Sequence, residues 1–194
     1  TELGRYRVPY AEDIEPGENG PSRTSVDSDG NVYVGARHGN AISKVSAAAE
    51  RCPDSNGDGA NTTSSGPADI LALGADDCLI WSTDIDGDAR GVAVQEIAST
   101  FVIENVPDME PNVREVPGAR FVWVGGQDVV KLHKLDAETG AVLFSMVPPT
   151  SVYGLAMDGR SNLWLVSQEE SAIGRIDTTR CVDANCANET VCVT

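Results

Sequence analysis

The chain has 194 residues, 41% of them apolar and only 5% aromatic, with 19 glycines and a formal charge of −16 at pH 7. That length suits one domain with a substantial core, and the composition points to many short strands and tight turns rather than long helices. The charge argues against nucleic acid and anionic membrane surfaces as partners and leaves cations, and no stretch approaches the ~20 apolar residues of a membrane span.

The N-terminus, TELGRYRVPY, lacks the pattern of a signal peptide, so any targeting segment is expected outside this sequence. Residues 4–9 are predicted to form a short strand running into a loop rich in Glu, Gly and Pro at 12–21. Arg23 to Val26 is the next strand, followed by the turn Asp27-Ser28-Asp29-Gly30-Asn31 and strands at 32–36 and 41–46. Residues 47–77 interrupt the pattern. Their centre, CPDSNGDGANTTSSGPAD at 52–69, has almost no apolar side chain and needs something other than a core to order it. A strand returns at Cys78–Thr83, then a second acidic turn at Asp84–Asp88 and a strand at 90–94. Residues 104–119, with three prolines, read as a surface loop. Further strands are expected at 120–125, 129–135 and 142–147, with the turn Asp136–Gly140 between the last two, and a final unit at Tyr153–Asp177. Beyond Arg180 lies a tail with three cysteines, to be held by a disulfide or by a neighbour.

One unit is written at least twice. Asp27 to Val45, DSDGNVYVGARHGNAISKV, aligns without a gap on Asp158 to Ile176, DGRSNLWLVSQEESAIGRI, at an offset of 131 positions. Asp27 meets Asp158, Asn31 meets Asn162, Tyr33 meets Trp164, Ile42 meets Ile173 and Lys44 meets Arg175. A shorter copy places Trp123 in the aromatic position and reads VVKL at 129–132 as its close. Repeated units of four short strands with an inner aromatic and a D-x-D-G-type turn are the signature of β-propeller blades. A β-sandwich with coincidental similarity is the competing reading, but sandwich strands occupy non-equivalent environments and have no reason to repeat.

The units resemble those of secreted bacterial NHL-type and streptogramin B lyase-like propellers, GLAMDGRSNLWLVSQEESAIGRID most of all. The expected fold class is therefore all-β: about three four-stranded antiparallel blades over residues 1–180, with an insertion at 47–77 and a cysteine-containing tail at 181–194. Three blades fall short of the four to eight of a propeller. Either the chain is part of a larger propeller, or the N-terminal strand closes the last blade in an assembly of several copies through open sheet edges. The resemblance implies a metal-assisted elimination carried by a Glu-His pair. Those places hold Ser167 and Gln168 in the last unit and Ala36 and Arg37 in the first, so the base is missing and the activity is not carried over. His38 and His133, the two histidines, are expected at the surface.

Arg23, Arg90 and Tyr153 stand at the starts of innermost strands, where propellers present side chains to the channel mouth; they are candidates for an anionic or sugar ligand, or for channel lining alone. Asp54-x-Asn56-x-Asp58-Gly59 has the alternating oxygen ligands and turn glycine of the first half of an EF-hand loop, pointing to Ca2+. The twelfth place is Ser65, so Asp69 is the candidate distal carboxylate and the Ala60 carbonyl a further ligand. The acidic turns at 27–30 and 84–88 read as plain hairpin turns. Five cysteines without a CxxC pair favour disulfides and an extracellular or periplasmic setting over zinc. Cys52 and Cys78 bracket the insertion and form one expected pair, Cys181 and Cys186 the preferred second, leaving Cys192 odd. Sequons stand at Asn61 and Asn188. The sequence is read as a calcium-stabilised, non-enzymatic binding or structural module for a protein or carbohydrate ligand. The alternative is a hydrolase or lyase completed by blades or chains not present here.

Overall fold

The computed structural model describes residues 2–9, 20–55, 57–104, 112–189 and 191–193. Strands β1 (Pro21–Val26), β2 (Val32–Ala36), β3 (Ala41–Val45) and β4 (Leu79–Asp84) form one antiparallel sheet in chain order. The next strand, β5 (Gly91–Ile97), starts a second sheet. The chain then makes a separate hairpin, β6 (Thr100–Glu104) with β7 (Asn112–Val116), before returning through β8 (Ala119–Gly125), β9 (Leu132–Asp136) and β10 (Val142–Met146). The third sheet is β11 (Gly154–Met157), β12 (Asn162–Ser167), β13 (Ala172–Asp177) and β14 (Val191–Val193). Each first strand is innermost, and β5 packs against both β1 and β11. These are three successive propeller blades. Among the described residues no strand of the third blade pairs with a strand of the first, and no closed ring is seen.

The sequence repeat is a repeat of hydrogen bonds. Asp27 Oδ1 accepts from the Asn31 backbone N–H at 2.8 Å, and Oδ2 from Asn31 Nδ2 at 2.9 Å and the Tyr33 hydroxyl at 3.0 Å. Asp158 does the same for the Asn162 N–H at 2.9 Å, Asn162 Nδ2 at 3.0 Å and Trp164 Nε1 at 3.0 Å. Backbone conformation repeats as well. Gly30 (φ +83°) and Ser161 (φ +61°) occupy the same left-handed turn position, and Asn40 (φ +46°) and Ser171 (φ +51°) share another. In the second blade the β6–β7 hairpin takes the place of the aspartate turn, so Trp123 Nε1 donates instead to Gln95 Oε1 at 2.9 Å.

Alternation along the strands sends one set of side chains to each neighbouring blade. Tyr33 and Ile42 of the first blade pack on Val92, Val122, Val124 and Leu135 of the second. Trp123 and Leu132 of the second pack on Leu163, Leu165 and Ile176 of the third. A buried lysine crosses each interface. Lys44 Nζ lies 5.7 Å from the Tyr33 ring centre and donates to the Ala137 carbonyl at 3.0 Å. Lys134 Nζ lies 5.3 Å from the Trp123 ring and donates to the Cys181 carbonyl at 3.4 Å. Such cation–π contacts gain strength from desolvation.

Several expectations change. The close of the second unit is not VVKL: Trp123 pairs across strands with Lys134, as Tyr33 does with Lys44 and Trp164 with Arg175. Residues 4–9 are not a strand; they lie along the first blade with the Arg5 N–H on Ser64 Oγ at 2.8 Å. The span 104–119 is no plain loop, because β6 and β7 flank its undescribed part. The tail supplies β14, which pairs with β13 and makes the third blade four-stranded. His133 is buried rather than at the surface, bonded to Ser145 Oγ at 2.7 Å and the Asp86 carbonyl at 3.1 Å, and burial lowers its pKa. Cys52 is bonded to Cys78 and Cys181 to Cys186, with Cα separations of 4.7 and 4.8 Å. Asn56, most of the 12–21 loop and the side chains of Asn188 and Cys192 lie outside the described residues.

Candidate ligand site at the channel mouth

The three innermost strands bring Arg23, Arg90 and Tyr153 together. Tyr153 immediately precedes β11 and is fixed by its N–H to the Val166 carbonyl at 2.8 Å. Arg90 immediately precedes β5, its N–H on the Gly125 carbonyl at 2.9 Å. Arg23 sits where the β1–β2 register shifts, a bulge of the kind that re-aims a side chain. The Arg23 guanidinium carbon lies 4.8 Å and that of Arg90 5.3 Å from the Tyr153 ring centre.

The two cations differ in compensation. Arg90 donates from Nε to Asp88 at 3.2 Å, and Asp88 is buried, also accepting the Asp128 N–H at 2.9 Å. Gly126 makes this possible, since a Cβ there would stand 2.1 Å from Asp88 Oδ1. Arg23 is exposed, and among the described residues its polar contact is a long one, 3.5 Å from Nη1 to the Ser22 carbonyl. Among the described residues, two guanidiniums share one ring while a carboxylate pairs with only one of them, a local excess of positive charge on a protein of formal charge −16. Such a spot offers a forked donor to a carboxylate, phosphate or sulfate.

The positions that carry the Glu-His pair in the lyases are structural here. Ser167 is buried, 2.8 Å from Ser151 Oγ, and accepts the Glu170 N–H at 3.1 Å. Gln168 is exposed and Ala36 buried. Glu169 Oε1 accepts a hydrogen bond from Gln127 Nε2 at 2.9 Å. Among the described residues no three His, Cys, Asp or Glu side chains gather as a metal set.

In the insertion, Asp54 Oδ1 accepts the N–H groups of Gly57 at 2.6 Å and Asp58 at 3.1 Å, and Oδ2 that of Gly59 at 2.8 Å. Asp58 Oδ1 accepts the Ala60 N–H at 2.8 Å, and Gly57 and Gly59 take positive φ. Asp54, Asp58 and the Ala60 carbonyl are hard oxygen donors on one tight turn, of the type calcium takes. Asp69 instead accepts the Ser65 N–H and hydroxyl at 3.0 and 2.9 Å. Asp76 and Asp77, which the sequence pattern did not single out, do much of the ordering. Asp77 accepts the N–H of Ser55 at 2.9 Å and Thr62 at 2.7 Å, and Asp76 that of Ser64 at 3.1 Å.

A second feature without a sequence motif lies between the first two blades. Arg120 Nη1 is 3.2 Å from Asp27 and 2.9 Å from Asp29, and Nε is 2.8 Å from Glu96. It borders a cavity of about 640 Å³ that Asp136 and Glu138 also line. Despite its burial, this carboxylate ring raises the Arg120 pKa. A single arginine outside the repeat gives no pattern to read.

No protein-family model matches the chain, and no curated protein matches its sequence. Among solved structures, the chain is similar to Kuenenia stuttgartiensis hydrazine synthase, with a TM-score of 0.51 at 13% identity over 90% of this chain and 37% of that one. At that identity the likeness speaks for the fold alone, which agrees with the propeller-like arrangement of the three sheets.

Proposed function

We propose that this chain is a non-enzymatic, extracellular or periplasmic binding module of the NHL-type, streptogramin lyase-like propeller class. Its ligand in this reading is an anionic carbohydrate or an acidic protein segment taken at the channel mouth. The observation that carries the reading is the stacking of Arg23 and Arg90 on Tyr153. An arginine-lined mouth favours binding, whereas an elimination or hydrolysis site needs a base beside a carboxylate or metal, and Ser167 and Gln168 supply none. A uronate suits this chemistry, since its carboxylate would meet the guanidinium forks of Arg23 and Arg90. The two disulfides suit an oxidising compartment. Calcium on the turn at Asp54 and Asp58 is the proposed stabilising ion. Calorimetry with galacturonate oligomers tests the ligand class. Binding is expected for these and not for neutral galactose oligomers, and Arg23→Gln is expected to weaken it by about tenfold, the scale of one charge-assisted hydrogen bond. Equal heats from charged and neutral sugars, or none from either, would overturn the reading.

A further inference from the structure

The third blade repeats a blade-to-blade contact surface that nothing covers among the described residues. Three sets of residues hold equivalent places in the three blades. Tyr33, Ile42 and Lys44 face the second blade, and Trp123, Leu132 and Lys134 face the third. All six are buried. Their counterparts are Trp164, Ile173 and Arg175. Ile173 is 49% exposed and its neighbour Val166 46%, and the Arg175 guanidinium carbon lies 5.9 Å from the Trp164 ring. The ring contact of the lysine latch is therefore formed. What is lacking, among the described residues, is the carbonyl acceptor that Lys44 finds in Ala137 and Lys134 in Cys181.

The receiving surface also exists in a third copy, at the other end of the chain. Val122, Val124 and Leu135 receive the first blade, and Leu163, Leu165 and Ile176 receive the second. Val32, Val34 and Val45 hold the same places in the first blade. They line a groove of about 420 Å³, bordered by Leu3, Tyr6 and Val8 of the N-terminal segment. Ala47 stands two residues after Val45 as Ala137, the acceptor for Lys44, stands two after Leu135, whereas Lys134 finds its acceptor farther along, in Cys181.

We propose that the Trp164–Ile173–Arg175 face of one chain docks on the Val32–Val34–Val45 face of a second copy, with Arg175 donating to the Ala47 carbonyl across the contact. A second copy is the fitting occupant because one chain carries both halves of an interface it already uses twice internally. Two copies, joined head to tail at both ends, supply six blades, within the four to eight that close a propeller. Head-to-tail contacts close into rings when the rotation allows. The shared negative charge opposes association and is screened by salt.

Sedimentation velocity of the intact chain over a dilution series, at low and high salt, tests this. A monomer–dimer equilibrium favoured by salt is expected. Val166→Asp and Val34→Asp, checked for folding by circular dichroism, are each expected to be monomeric. Mixed together they are expected to associate, because one unaltered interface survives in the mixed pair; simple misfolding would not give that result. A chain that stays monomeric at every concentration would overturn the proposal, as would a dimer indifferent to both substitutions, or open-ended larger species. In the first case the face belongs to a different chain.

Discussion

Tyr33 donates its hydroxyl to Asp27 across a single turn, at 3.0 Å, with both groups buried. Asp27 thereby holds a turn, through Asn31, and the inner aromatic of its blade, while its Oδ2 also lies 3.2 Å from Arg120 of the next blade. Replacing it strands the backbone N–H groups of Asp29 and Asn31, the Asn31 side-chain amide, the Tyr33 hydroxyl and Arg120 at once. Asp27→Ala is expected to cost about 3–5 kcal/mol, the scale for breaking a buried charge pair, read as a lower urea midpoint. Asp158→Ala, which touches no neighbouring blade through an arginine, is expected to cost less.

The same carboxylates set the response to acid. Burial works against ionised Asp27, but hydrogen bonds from Asn31 and Tyr33 and the charge of Arg120 hold its pKa below the ordinary aspartate value. Asp158 is lowered by the bonds from Asn162 and Trp164. Groups with depressed folded-state pKa values contribute stability that is complete above the unfolded pKa of about 4 and is lost as pH falls through the folded value. The melting temperature is therefore expected to be flat with respect to these groups above about pH 5 and to fall below about pH 4. Asp27→Asn, which keeps the shape without the ionisation, is expected to lower the plateau and shallow the acid limb. An unchanged acid limb in that variant would refute the assignment.

The blade repeat was legible because its hydrogen-bonding residues are themselves the repeat: Asp27, Asn31 and Tyr33 recur as Asp158, Asn162 and Trp164. The second blade was legible only in part. Its hairpin displaces the aspartate turn, and Lys131, three residues before the true latch Lys134, imitates the apolar-apolar-basic-apolar close. Arg23, Arg90 and Tyr153 were found through their positions on innermost strands, although nothing in the sequence signals the bulge at Arg23. Arg120 and His133 were missed for a shared reason. Their burial depends on partners from other strands or blades, Asp27 for one and Asp86 for the other, and no local pattern encodes such a partner.

Ser161 holds the left-handed turn position that Gly30 fills in the first blade. A side chain in that region costs about 1–2 kcal/mol, part of which glycine gives back as chain entropy in the unfolded state. Ser161→Gly is expected to stabilise by about 0.5 kcal/mol, and Gly30→Ala to destabilise by about 1 kcal/mol, its added Cβ also meeting Ala47 at 3.2 Å. Thermal melts of the two variants should move in opposite directions. Movement in the same direction would mean that the two turns are not equivalent.

The insertion divides into a part ordered by the body of the protein and an exposed turn on which the proposed calcium ion would act. The Cys52–Cys78 disulfide closes it, and buried Asp76 and Asp77 gather the N–H groups of Ser55, Thr62 and Ser64. Beyond Ser55 the turn lies outside that support, its N–H groups at 57–59 taken by Asp54. It is exposed and carries two carboxylates whose repulsion a cation relieves. A calcium ion there is expected to take Asp54, Asp58 and the Ala60 carbonyl, with Asn56 as the further oxygen donor that the spacing supplies. Asp69 would have to leave Ser65 to join, so it is the least favoured ligand. At one hundred times its dissociation constant a bound ion stabilises the folded state by about 2.7 kcal/mol. For a chain of this size that is a melting shift of about 5–10 °C. EDTA is expected to lower the melting temperature, and calcium to restore it better than magnesium, which demands a stricter octahedral site. Asp58→Ala should abolish the difference between the two metals, while Asp69→Ala should largely preserve it. Identical melts with calcium and with EDTA would remove the ion from the account and leave the loop to the disulfide and its own hydrogen bonds, those to Asp76 and Asp77 foremost.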